Sequence, residues 1–136
     1  MPTTRRTFLA TAATLGAAAV ASAASMNAPA TTPAPLVHHV FFWLKNPDSK
    51  EDLAKLLAGI RGLAAIETVR GIHVGVPAST EKRDVVDNSY SASEILFFDD
   101  APGQKTYQDH PLHKQFVAEC SHLWSKVVVY DAVPAI

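Results

Sequence analysis

The stretch LVHHVFFWL, Leu36 to Leu44, decides how this chain folds. It is rich in β-branched and aromatic residues and runs into a turn signal at Asn46-Pro47, the pattern of a β-strand. Side chains alternate across a strand, and here both sets are apolar. Leu36, Val40, Phe42 and Leu44 share one side with His38, while Val37, Phe41 and Trp43 share the other with His39. A strand that is apolar on both sides has to be covered twice.

Working outward, DSKEDLAKLLAGIRGLAAI follows, with Leu53, Leu56, Leu57, Ile60, Leu63 and Ala64 on the stripe of an amphipathic helix. Asp48 and Glu51 have the spacing of a capping box, and Gly59 and Gly62 allow a close approach to the sheet. TVRGIHVGV predicts a second strand stopped by Pro77, PASTEKRDVVDNS a polar loop, and YSASEILFF a third strand. DDAPGQKTYQD predicts a short helix capped by Asp99 or Asp100. HPLHKQFVAECSHL predicts another, with Pro111 at the first position, where a missing N–H has no consequence. WSKVVVYDAV is the fourth strand.

The order strand, helix, strand, strand, helix, strand predicts the α+β class. The expected layout is a ferredoxin-like four-stranded antiparallel sheet with helices on one face. The helices are assigned to the side of His39, Phe41 and Trp43, which leaves Phe42, Leu44 and His38 uncovered. An uncovered apolar face marks an interface. The expectation is therefore a homodimer whose two sheets close into a dimeric α+β barrel.

The chain begins differently. Arg5 and Arg6 precede Phe8, Leu9 and an alanine-rich uncharged run that closes on Ala21-Ser22-Ala23. Residues 1–24 read as a twin-arginine (Tat) signal peptide, which implies export to the periplasm or beyond the cell. The run is shorter than the roughly 20 apolar residues of a membrane span, so no stable membrane anchor is expected. Residues 25–35 read as a Pro/Ala/Thr linker, and residues 36–133 as one domain. Without Arg5 and Arg6, ten basic residues face 13 acidic ones and no basic stripe remains, which argues against nucleic acid as a partner. Cys120 is the single cysteine, so an internal disulfide is excluded.

The strings VHHVFFWLK, GIHVGVP, FFDDAPGQKTYQDHPLHKQFV and VVVYD resemble the stress-responsive A/B barrel (Dabb) domain family, whose members are dimeric α+β barrels. The segment holding Tyr107, His110-Pro111 and His113 carries the resemblance most specifically. Most bacterial members of that family have no assigned activity. One plant branch closes β-polyketides by cofactor-free aldol condensation, using a tyrosine, a histidine and further pocket histidines. By that resemblance the tyrosine falls on Tyr107 and the catalytic histidine on His113. A strand histidine falls on His39, the one before the proline on His110, and a further pocket histidine on Ala92, where this chain has none. Some plant members hold magnesium on backbone carbonyls of the segment matching Leu63 to Val69.

The residues support a pocket by their own chemistry. His113 is on the helical side of Val117 and Cys120, so it faces inward, and an imidazole titrates close to neutral pH as a general base requires. Tyr107 is the candidate donor to a developing oxyanion. His39, Phe41 and Trp43 are expected to line the cavity with Leu96. Glu94 shares strand parity with Leu96 and Phe98 and is expected to point between sheet and helices, with His39 or His113 as its partner. His110 is expected to close a helix start, and His73 and His122 to lie at the surface.

His110 and His113 also have the spacing of two metal or haem ligands, with His39 as a third. A lone HxxH lacks a second shell, and no metal or cofactor is assigned. The resulting reading is a pocket for a small apolar carbonyl compound, with cofactor-free proton abstraction or aldol-type cyclisation. The alternatives are a non-catalytic stress-response or binding dimer, and a haem- or metal-dependent monooxygenase-like protein.

Overall fold

The computed structural model describes residues 35–135, so the expected signal peptide and nearly all of the expected linker lie outside it. The strands are β1 (Leu36–Leu44), β2 (Gly71–Gly75), β3 (Ala92–Phe98) and β4 (Trp124–Ala132). The helices are α1 (Lys50–Gly62), α2 (Ala101–Asp109) and α3 (Pro111–Cys120). The sheet order is β2-β3-β1-β4, with every neighbouring pair antiparallel, and the helices cover one face. This is the ferredoxin-like arrangement expected from the order of elements.

Local chemistry sets the helix ends. Ser49, not Asp48, caps α1, its hydroxyl accepting from the Asp52 N–H at 3.1 Å. The carboxylate of Asp100 caps α2 by accepting from the Gly103 N–H at 2.7 Å. Between α2 and α3 the chain turns at His110, whose Nδ1 accepts from the Leu112 N–H at 3.1 Å, with Pro111 opening α3. Each such cap contributes about 1 kcal/mol.

One core fills the layer between sheet and helices, with Leu56 and Ile60 of α1, Leu96 and Phe98 of β3, and Tyr107 of α2 fully enclosed. Full burial of each large apolar side chain contributes about 1.5–3 kcal/mol. The close approach at Gly59 is made by α3 rather than by the sheet. A Cβ placed there would stand 2.8 Å from Cys120 Sγ and 3.0 Å from the Phe116 ring. A side chain at Gly62 would meet open space.

The faces of β1 are reversed from the expectation. Leu36, His38, Val40, Phe42 and Leu44 are buried beneath the helices, and Phe42 meets Phe116 of α3 at 6.2 Å between ring centroids. His39, Phe41 and Trp43 stand half-buried on the bare face. The alternation could not choose between two apolar sides, but the register does. Glu94 lies opposite Val40, and directly opposed residues share a face. A Glu94 that points at the helices therefore takes His38 with it and sends His39 away.

Candidate functional site

Because α3 leans on α1, the edge strand β4 is incompletely roofed. Val129, on its helix-facing side, remains 46% exposed. A cleft of about 290 Å³ opens there, walled by Phe42, Phe116, Trp124 and Val129, with His38, Glu94 and His113 among its lining. An apolar hollow with a few convergent polar groups is the usual form of a small-molecule site.

His38 enters from β1, opposite Asp131 of β4. Its Nδ1–H donates to Asp131 Oδ1 at 2.5 Å, which leaves Nε2 clear of that carboxylate. His113 enters from α3 and packs on Tyr107 at 4.7 Å between ring centroids, and Tyr107 in turn meets His38 at 5.7 Å. Burial holds the His113 pKa below the ordinary imidazole value, and the nearby His38 adds to the effect. The Gln108 carbonyl opposes it. His113 is thus neutral at neutral pH, in the form that accepts a proton.

Glu94 is 2% exposed. Burial pushes its pKa up to about 8, against a smaller opposing pull from the Tyr107 hydroxyl. Tyr107 is fully enclosed, and burial, then Glu94, raises its pKa. The two groups are close enough to perturb each other, yet neither the Tyr107 hydroxyl nor Glu94 Oε2 reaches hydrogen-bond geometry with any described protein atom. An unpartnered buried polar group costs about 1–3 kcal/mol, so the pair is an investment the fold does not use for its own stability.

The structure brings together only some of the expected set. His113 and Glu94 both line the cleft, while Tyr107 sits behind the imidazoles, with its hydroxyl shut off from solvent. His39, Phe41 and Trp43 do not line this cleft, so His39 is partner neither to Glu94 nor to His113. His39 instead stacks on Phe41 at 4.2 Å, and burial followed by the neighbouring His73 lowers its pKa. Phe41 and Trp43 line a separate hollow of about 140 Å³ with Asp87, Tyr90 and Tyr130.

His110 is structural. Nδ1 caps α3 and Nε2 stands 3.3 Å from Glu67, so both ring nitrogens are engaged and the HxxH pair does not converge. Among the described residues no three His, Cys, Asp or Glu side chains form a cation site. In the segment Leu63 to Val69 the carbonyls of Leu63, Ile66 and Glu67 accept from Ile66, Val69 and Arg70.

Sequence reasoning missed His38 and Asp131. Parity alone sent His38 to the interface, and the signal that places it correctly is its shared side with Val40, read through the β1–β3 register. Ala92, where the resemblance would put a histidine, is fully buried opposite Phe42 on the same face.

The profile of the family described as Stress responsive A/B Barrel Domain (Dabb) matches residues 36–134. No curated protein matches the chain. Among solved structures, it is similar to a Dabb family protein with a ferredoxin-like fold from Mesorhizobium loti, at 25% identity and a TM-score of 0.61 over 75% of this chain and 98% of that one. It is similar to a dimeric ferredoxin-like protein of unknown function from Thermobifida fusca, at 17% identity and a TM-score of 0.60 over 76% and 93% of the two chains. A hydroxynitrile lyase from Passiflora edulis shares the fold at 16% identity and a TM-score of 0.61, over 76% and 96%. With the profile spanning the whole described sheet and its helices, the chain belongs to the Dabb, or stress-responsive A/B barrel, domain family.

Proposed function

We propose that this Dabb-domain protein binds a small apolar carbonyl compound in the cleft under its helices and removes a proton from the carbon beside the carbonyl, with His113 as base. The observation that carries this reading is the convergence of a neutral imidazole, His113, and a buried carboxyl, Glu94, on one apolar cleft. His113 takes the proton, and an oxygen that gains charge as the enolate forms needs a hydrogen-bond donor in the same hollow. His38, held by Asp131, keeps its ring fixed at the cleft wall. Tyr107 acts from behind by positioning His113 and Glu94, in place of the direct oxyanion contact expected from the sequence. Ring closure of an aldol type is compatible with such an enolate, although Ala92 removes one of the histidines a cyclase of the plant kind would use. That one similar structure is a hydroxynitrile lyase supports the fold as a frame for lyase chemistry.

The test follows exchange of the C2 protons of ethyl acetoacetate into heavy water by NMR. The protein is expected to accelerate exchange, and His113→Ala to lose about 10²-fold or more of that acceleration. Equal rates with the two proteins would leave the base without a role.

A second reading, a binding module without a reaction, is favoured by the complete enclosure of the Tyr107 hydroxyl. It predicts ligand binding in the cleft with no exchange. In either case we propose a homodimer joined through the bare sheet face of His39, Phe41 and Trp43, supported by the dimeric state of similar structures. Export by the twin-arginine route is likewise proposed, on Arg5 and Arg6 and the run that follows them.

A further inference from the structure

Glu94 is the least expected group in the cleft. It rises from the middle of β3, between Val40 of β1 and Val74 of β2, where an apolar side chain would complete the core. Nothing in the fold needs a carboxyl there. It has no salt bridge among the described residues, its Oε2 is buried without a partner, and it lines the floor of an open hollow.

The groups facing it can be named from every element packed on it. β1 presents His38, whose Nδ1–H is committed to Asp131; α2 presents the enclosed Tyr107; α3 presents His113; α1 adds only apolar Leu56 and Ile60 to the core around it. No lysine or arginine joins this set. The nitrogen with which His113 would take a proton is an acceptor. Gln108 also lines the cleft, but it lies at the exposed rim. The Tyr107 hydroxyl is enclosed and is not part of the cleft lining, so the donor that the deep end turns toward the hollow is the Glu94 carboxyl in its acid form.

From this geometry we infer that Glu94 is the specificity-determining residue of the cleft, selecting uncharged ligands that place a carbonyl oxygen against its protonated carboxyl and an apolar body against Phe42, Phe116 and Trp124. The acid form prevails at neutral pH because burial shifts its titration to about 8. A ligand carboxylate would meet the His113 acceptor and a carboxyl, with no lysine or arginine in the lining to offset its charge, and is rejected. A carbonyl without an apolar body leaves the walls unfilled. The inference deepens the proposed function by naming what the cleft recognises, and it rests on that reading for the site but not for the reaction.

The experiment compares binding of acetophenone with that of isopropylbenzene, which has its shape without the oxygen, by NMR titration of the purified protein. The wild type is expected to prefer acetophenone by about tenfold at about pH 6 and to lose that preference by about pH 10. Glu94→Gln, which donates through an amide and cannot ionise, is expected to keep the preference at both pH values. Glu94→Leu is expected to bind both compounds equally, and circular dichroism checks that both variants are folded. An unchanged preference in the wild type across this pH range, or in Glu94→Leu, overturns the inference. The wild type separates the inference from the proposed reaction. Preference for acetophenone without accelerated proton exchange in the wild type leaves Glu94 as the selector and removes the chemistry, whereas exchange without a pH-dependent preference does the reverse.

Discussion

His38 Nδ1 and Asp131 Oδ1 stand 2.5 Å apart across the β1–β4 ladder, and the carboxylate is half exposed while the imidazole is buried. The pair ties a ring in the interior to an anion at the rim, fixing which nitrogen faces the cleft. Asp131→Ala is expected to leave a buried N–H unpaired and lower stability by about 1–3 kcal/mol in denaturant unfolding. If the two act as a unit, His38→Ala and Asp131→Ala slow proton exchange by similar factors, and the double variant is no slower than either alone. Additive effects in that cycle would show that Asp131 does not act through His38.

Glu94 also makes stability depend on pH. Its carboxyl titrates near 8 in the folded chain and near the ordinary carboxylate value when unfolded. Between those values the unfolded state releases a proton that the folded state keeps, so stability falls as pH rises from about 5 to about 8 and then levels. His113, whose folded pKa is depressed, works in the opposite sense and over a lower window: its contribution is lost as pH falls below the ordinary imidazole value. In Glu94→Gln the first slope is expected to vanish and the second to remain. At neutral pH the variant should gain about 2–4 kcal/mol, read as a higher midpoint in urea.

The two glycines of α1 should respond in opposite directions. Gly59→Ala drives a methyl into Cys120 Sγ and the Phe116 ring and is expected to destabilise by about 1–3 kcal/mol. Gly62→Ala, in helical backbone with nothing nearby, is expected to stabilise by about 0.5–1 kcal/mol. Thermal unfolding of the two variants measures both.

The bare sheet face offers a direct test of assembly. Phe41, half-buried there between His39 and Tyr90, would meet the opposing copy in a sheet-to-sheet dimer. Phe41→Asp is expected to give monomers in analytical ultracentrifugation while leaving acetophenone binding in the cleft intact. A monomeric wild type at micromolar concentration would remove the dimer.

The fold was legible because turn chemistry and periodicity divide this chain cleanly: Asn46-Pro47, Pro77 and His110-Pro111 stop elements where the structure stops them. The site was only half legible. His113 and Glu94 follow from the helical stripe of α3 and the parity of β3. The neighbouring β1 residues did not, because a strand apolar on both sides holds no period-2 signal, and the side that faces the helices is set by pairing with β3. Asp131 was invisible for a related reason: a charged residue near a strand end reads as solvated until its cross-strand neighbour is known to be a histidine.

That two-sided strand has one more consequence. A single peptide plane separates His38 from His39, and through it β1 forms the inner wall of the proposed ligand chamber and the proposed seam between subunits. A packed strand moves as a rigid unit, so a shift imposed on the seam is carried directly into the chamber. If the cleft takes a ligand and the bare faces pair, occupancy and association are coupled mechanically through a partition no thicker than the strand itself.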